Sequence, residues 1–459
     1  MVKNKKPIDY LMVYLFFIII FSIFPDFLFF LSPTTNYLIR DIFSFISILA
    51  VIKLLLLKQV HFRRRSDRFF LGFVVIQCFF LPVYSSVLAY IHYGQPIIYG
   101  LLAERGRLFS LSCIIFYSYL QRGKFSLQDF HKIFLRIAWF CLFTYLIFRV
   151  LYELNPAIFT VHDKVLAEKG FGMFDSRDLE TKGGVIMRVS TILFIYAIIF
   201  YFIEYWDNRR ILSLLKILAF SIFIIVFNKG RGIIVFLLLT LLIYYWKNSK
   251  ASNNVAIGLF VGFLITTIFV GIITTSASSP SFFSSFFSIV ETVQTVQPTD
   301  DGAGVADAST WARLYDLGVI AETFAKNNLN LLFGMGMLSN QYNGGTAEFI
   351  SEYFYPVDVG IAGAMFLYGA VIVLLYKMVY IKMRNNFKSL TKQPSFIKAI
   401  KYFIVFLFIS SIQTGADMLG NPEIFICFLG FSVFYYLNQA NELNHNWTYQ
   451  NRHQLSSIS

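Results

Sequence analysis

Charge is what this sequence has least of. Only 14% of its residues are charged, where a soluble domain carries about 25%. That leaves too little polar surface to face water all round. Cysteine is scarce too. Cys78, Cys113, Cys141 and Cys427 all lie inside apolar runs and no CxxC occurs, which argues against a disulfide framework or a zinc site. The histidines (His61, His92, His131, His162, His445, His453) show no metal-ligand spacing. No Walker or dinucleotide-binding glycine loop appears, and the lone Gly334-x-Gly336 reads as a turn. The basic start (Lys3, Lys5, Lys6) precedes an apolar run without a small-residue cleavage site, so it reads as a retained first span.

What is present is apolar. Hydrophobic residues make up 57% of the chain and Phe alone fills 54 positions. Apolar runs of about 18 residues or more recur, long enough to cross a hydrocarbon core of ~30 Å. The expectation is an all-α, polytopic transmembrane bundle, residues 1–459 forming one integral membrane domain. Twelve spans are expected, near 10–31, 42–57, 69–91, 98–120, 133–152, 186–206, 211–227, 232–246, 255–275, 356–381, 402–419 and 423–437. The stretch 211–246 reads as two helices. A single helix of about 36 residues would be ~54 Å long and would bury Lys229 and Arg231 at roughly 2.5–3.5 kcal/mol each. A tight hairpin at Asn228-Lys229-Gly230-Arg231 avoids both costs, and its glycine permits the turn.

The formal charge of +13 would suggest nucleic acid in a soluble protein. Here it is topogenic. Lys and Arg gather in alternate connections (Lys58 to Arg68, Arg122 to Arg136, Arg209 to Lys216, Lys247 and Lys250, Lys377 to Lys401), which predicts both termini cytoplasmic. Two connections on the opposite side are long, 153–185 and 276–355. Loops of that size are functional or disordered. The second is expected to turn helical from Asp307 or Ser309, both able to cap a helix, and to end at Gly334-Met-Gly336.

On that outer face topology leaves an excess of arginine: Arg105, Arg107, Arg188, Arg231 and Arg313. A guanidinium fork binds two phosphate oxygens at once and keeps its proton, so the five together suit a lipid pyrophosphate. The alternative is that each one snorkels from a helix end or pairs nearby, as Glu104 with Arg107 at i,i+3. Acidic candidates in the same layer are Glu104, Asp316, Glu322, Glu348, Glu352 and Asp358. Asp358, just inside the tenth span, would accept a proton or orient a sugar hydroxyl, or else serve an arginine as structural partner. Asp417 is a weaker candidate of the same kind.

Three stretches resemble the O-antigen polymerase and O-antigen ligase superfamily, the Wzy-type polysaccharide polymerases of bacterial envelopes. Asn228-Lys-Gly-Arg231-Gly232 is similar to the family's polar turn with Arg-Gly opening a span. Ala308-Ser-Thr-Trp311-Ala-Arg313-Leu-Tyr315, followed by Gly334-Met-Gly336, resembles its loop segment, and Asp358 through Gly369 the span that follows. The resemblance covers mainly residues 185–385. It implies a multi-pass protein of the bacterial cytoplasmic (inner) membrane with a large periplasmic loop. It also implies metal-independent, cofactor-free inverting glycosyl transfer from undecaprenyl pyrophosphate to the next lipid-linked repeat unit of an O-antigen or capsule. By the same carry-over Arg231 and Arg313 would stabilise the departing pyrophosphate; with Asp358, taken from its position at the start of the tenth span, they are the catalytic candidates. From their charge and their place on the outer face, Arg105, Arg107, Arg188, Glu348 and Glu352 are the candidates for binding pyrophosphate or glycan. Membrane lipid and a chain-length regulator protein are the implied partners. The region Phe349 to Asp358 lacks the histidine that family ligases carry there, which favours polymerase over ligase. The family's Arg-to-Gly spacing of eleven is absent, since Leu242 follows Arg231 and Phe324 follows Arg313 at that distance. A transporter or flippase is the rival from another class, and it would be expected to show broken helices at mid-membrane.

Overall fold

A computed structural model describes residues 7–27, 33–159, 174–175, 186–187, 189–228, 231–248, 308–351, 354–387, 393–412 and 422–456. The expected span 255–275, most of the connection 160–185, the first part of the large loop, and Arg188, Glu352 and Asp417 lie outside these residues.

The described chain is helical apart from one short antiparallel pair, β1 (Phe174–Asp175) with β2 (Ile186–Met187). The principal helices are α1 (Pro7–Ile20), α2 (Pro33–Leu56), α3 (Arg65–Tyr93), α4 (Ile97–Ala103), α5 (Ser112–Gln121), α6 (Leu127–Leu154), α7 (Ile192–Asn208), α8 (Ile211–Phe223) and α9 (Arg231–Asn248). They continue with α10 (Ala308–Lys326), α11 (Asn328–Phe333), α12 (Gly360–Tyr368), α13 (Ala370–Asn386), α14 (Ser395–Ser410) and α15 (Pro422–Ser456). By length and composition α3 and α6 can cross a membrane, and the bent pair Pro356–Tyr368 with α13 adds a third if counted as one span.

Local sequence accounts for several of these elements. Ser126 and Asp129 form a capping box that starts α6, the Asp129 N–H reaching the Ser126 hydroxyl at 3.1 Å. In α3, Pro82 can neither donate a backbone hydrogen bond nor sit easily against the carbonyl one turn back. A π-helical turn over Ile76–Phe80 precedes it and re-routes the ladder. Gly94, in the left-handed region at φ 69°, closes that helix.

Helix α6 shows why lipid is the natural solvent. One face carries Phe130, Phe134, Ile137, Cys141 and Tyr145 into an aromatic core shared with Phe17 and Phe116, whose rings stack at 4.6 Å. The opposite face exposes Phe140, Phe143, Ile147, Val150 and Leu154, spaced three and four apart. Between Arg136 and Arg149 the helix is apolar on both faces, which suits apolar surroundings.

Chain contacts sort the connections into two ends. At one, Lys124 Nζ meets Asp9 at 2.8 Å, Arg122 meets Gln59 at 2.6 Å and Lys398 meets Asp207 at 2.8 Å. At the other, the Ser190 N–H reaches Asp26 at 2.9 Å and Arg40 reaches Glu423 at 2.7 Å. The Tyr244 hydroxyl, near the end of α9, lies 3.5 Å from Asp207 where α7 hands over to α8. So α8 runs out from that end and α9 returns to it, two helices in place of one.

The expected continuous spans 98–120 and 356–381 are corrected. The first is interrupted by a 3-10 turn over Arg105–Leu111, where Glu104, Arg105 and Arg107 need partners a straight lipid-facing helix would not supply. The second breaks at Gly369 with a bend of 118°. The span expected from 186 begins only at Ile192, because Ile186–Met187 pair as β2. The last helix runs beyond 437 to Ser456.

Candidate active site

The Gly334–Gly336 segment is no simple turn. It runs between two helices with both glycines at φ 84°. The Met335 and Gly336 amides donate to Phe366 O at 2.7 Å and Leu367 O at 3.0 Å, carbonyls that the break after α12 would otherwise leave orphaned. On its other side α3 holds the segment. Tyr84 donates to Phe333 O at 2.7 Å, Ser85 Oγ accepts from the Met337 N–H at 2.8 Å, and Gln95 bonds both Met337 O and the Ser339 N–H. A Cβ on Gly336 would lie 2.4 Å from Ser85 O, and one on Gly369 2.0 Å from Leu332 O. Glycine is required here by close backbone approach.

This strap fixes the turn that carries Asp358. Pro356–Val359 form a 3-10 turn folded onto α12, so close that a Cβ on Gly363 would meet Pro356 O at 1.6 Å. Helix α10 packs beside the turn. Its Asp316 carboxylate, only 1% exposed, accepts the Tyr355 N–H at 3.1 Å. Burial pushes that carboxyl up to about 6; the Tyr355 N–H pulls the other way and the charge of Asp358 adds to the rise. Arg313, one turn earlier on the same face of α10, is half-buried and close enough for its charge to act on Asp358. Arg313, Asp316 and Asp358, from two segments more than forty positions apart in the sequence, therefore meet at one place. Asp358 is exposed and available to a ligand.

The other candidates lie on separate elements. Arg231 opens α9 at the end of the bundle away from Asp207; its side chain lies outside the described residues. Arg105 is half-exposed and bonded to Asp41 at 2.9 Å. Arg107 is buried and occupied by the protein itself. It pairs with Glu104, donates to Gln77 at 2.9 Å and donates to the Tyr368 hydroxyl at 2.6 Å, and that hydroxyl donates to Glu104 at 2.8 Å. This closed cycle pins the last residue of α12 beside the bend, and it places Arg107 inside the bundle, away from the expected cationic rim. Glu348 stands exposed on a single helical turn whose Phe349 packs against Tyr93 and Tyr342. Among the described residues no ion pair joins Glu348 to Arg313. Glu322 pairs with Lys326 at 2.8 Å on the surface of α10.

Asp316 is the member that sequence reasoning left among several acidic candidates. Its i,i+3 spacing from Arg313 was the available signal; its burial under Tyr355 was not readable. No family model matches the chain, and no curated protein or solved structure matches it either.

Proposed function

We propose that the protein is a polysaccharide polymerase of a bacterial cytoplasmic membrane, joining lipid-linked repeat units at the face away from the cytoplasm. The observation that carries the reading is the meeting of Arg313 with Asp358 over the bent helix pair, backed by the buried Asp316. A cation beside an accessible carboxylate suits displacement of a pyrophosphate by a sugar hydroxyl. In that reaction the acceptor oxygen attacks the anomeric carbon, the carbon–oxygen bond to pyrophosphate breaks, and Asp358 takes the hydroxyl proton. Arg313 and Arg231 receive the negative charge that grows on the leaving pyrophosphate. Asp316 holds the Tyr355 amide and so positions the turn that presents Asp358.

Sidedness rests on charge. The end holding Arg122, Lys124, Arg209, Arg210, Lys247 and Lys398 is the cationic one, which the positive-inside rule assigns to the cytoplasm. The candidate site then faces the periplasm, in a twelve-span plan with both termini inside.

A transporter or flippase is the second reading, and one observation favours it: the break at Gly369. The freed carbonyls there are met by Met335 and Gly336, however, so protein backbone fills the break where a translocated solute would have to sit.

The deciding experiment replaces Arg313 and Arg231 by alanine and displays the surface glycan and the lipid-linked pool on gels. Single-repeat caps with normal protein level are expected. An undisturbed chain-length ladder refutes the assignment; repeat units trapped inside the cell indicate a flippase, and unattached long chains a ligase.

A further inference from the structure

At the opposite end of the bundle, three helices enclose a cavity of about 130 Å³. Each brings a cation: Lys247 from the end of α9, Arg384 from the end of α13 and Lys401 from α14. Tyr380, Tyr402 and Phe387 line it with them, and the remaining lining is aliphatic or Met. No carboxylate is among the described lining residues. Two acids of that end are engaged elsewhere: Asp207 is bonded to Lys398 at 2.8 and 2.9 Å and to Ser395 at 2.8 Å, and Glu204 to Ser213 at 2.8 Å.

The walls are firmly set. Tyr380 stacks on Phe408 with ring centroids 4.1 Å apart, Tyr402 packs edge-on to Tyr244 at 4.8 Å, and the Tyr402 hydroxyl accepts from Asn248 at 3.3 Å. Topogenic charge needs only to lie on the correct side of a membrane. It has no reason to converge from three helices on one small cavity. Three positive side chains around a hole of this size create a potential that attracts an anion, and the guanidinium of Arg384 offers it a two-pronged contact.

We infer that this cavity is a phosphate-binding site, taking the phosphate of an anionic lipid headgroup between α9, α13 and α14. The apolar lower wall suits the glycerol and upper acyl carbons, and the cationic end is the one that faces an anionic leaflet. The site stands apart from the polymerase reading, whose residues lie at the other end.

The test uses the full-length purified protein in neutral detergent. Native mass spectrometry counts phosphatidylglycerol retained against phosphatidylcholine, and a parallel thermal-shift titration uses inorganic phosphate. Each cation near an anionic surface is worth about fivefold in affinity. The variant Lys247→Gln/Arg384→Gln/Lys401→Gln is therefore expected to bind phosphatidylglycerol on the order of a hundredfold more weakly, with phosphatidylcholine unchanged. Lys247→Arg/Lys401→Arg is expected to keep the site. Stabilisation of the wild type by inorganic phosphate, lost in the triple variant, supports the phosphate site with a soluble source in place of lipid. Should the triple variant fail to fold, Arg384→Gln alone, an exposed position, is read for the fivefold loss. Equal phosphatidylglycerol retention by wild type and a folded variant, with no phosphate effect, overturns the inference.

Discussion

Removing the Glu104 carboxylate would expose how much of the bundle depends on one internal charge. Glu104 and Arg107 are each 5% exposed, so neither is solvated by water. In Glu104→Ala the guanidinium keeps Gln77 and Tyr368 but loses the carboxylate it is bonded to, and the Tyr368 hydroxyl loses its acceptor. Breaking a buried pair from one side costs about 3–5 kcal/mol, and an orphaned hydroxyl adds about 1 kcal/mol. Against a total stability of about 5–15 kcal/mol that is a large share. Thermal unfolding of the detergent-solubilised protein, followed by loss of its monodisperse elution peak, should show a clearly lowered midpoint. The double variant Glu104→Leu/Arg107→Met removes both charges at similar volume and should recover part of the loss, because the desolvation penalty goes with the pair, while the Tyr368 hydroxyl and the Gln77 carbonyl, left without Arg107, each keep back about 1 kcal/mol. Two results would refute the reasoning: a single variant that melts with the wild type, or a double variant worse than the single.

Further outcomes follow from the site. Asp316 has its carboxyl raised from 3.8 to about 6 in the folded protein, so the native state binds the proton more tightly than the unfolded chain. Its contribution to stability is full below about pH 4 and is lost as the pH rises through about 6; melting curves of wild type should show this slope and Asp316→Asn should lack it. Gly369→Ala places a Cβ at φ 71° against Leu332 O. That backbone, φ 71° with ψ −173°, is one that essentially only glycine adopts and costs another residue about 1–3 kcal/mol; the displaced strap should lower the melting midpoint and, under the proposed function, polysaccharide yield, whereas Gly318→Ala, with open space at its Cβ, should change neither.

The parts of the fold set by local sequence are legible in the sequence itself. The capping pair Ser126/Asp129 starts α6, and the polar Asn228–Arg231 stretch divides α8 from α9 where a single helix would have buried two cations. Lys124, Arg209, Lys247 and Lys398, which the sequence places in alternate connections, gather at one end of the bundle. What was illegible depends on residues distant in the chain. The stretch from Gly360 to Tyr380 reads as one uninterrupted apolar helix, since a lone glycine costs a helix only about 1 kcal/mol. It breaks because amides more than thirty positions earlier supply the hydrogen bonds that the break would forfeit. Arg107 likewise reads as a rim arginine until Gln77 and Tyr368, neither adjacent in sequence, are found on its guanidinium. The Arg313 and Asp358 candidates were each visible alone; their meeting depends on how α10 docks against the 3-10 turn.

The strap at Met335–Gly336 also governs how the molecule can move. Pulling it away from α12 would strand two amides and two carbonyls in apolar surroundings, each costing a few kcal/mol. The bend at Gly369 is therefore a splint and not a hinge: helix α3, the strap and the turn bearing Asp358 shift together or stay put. Under the proposed function, any adjustment to an incoming glycan falls to α10 and its arginine, against a floor that does not give.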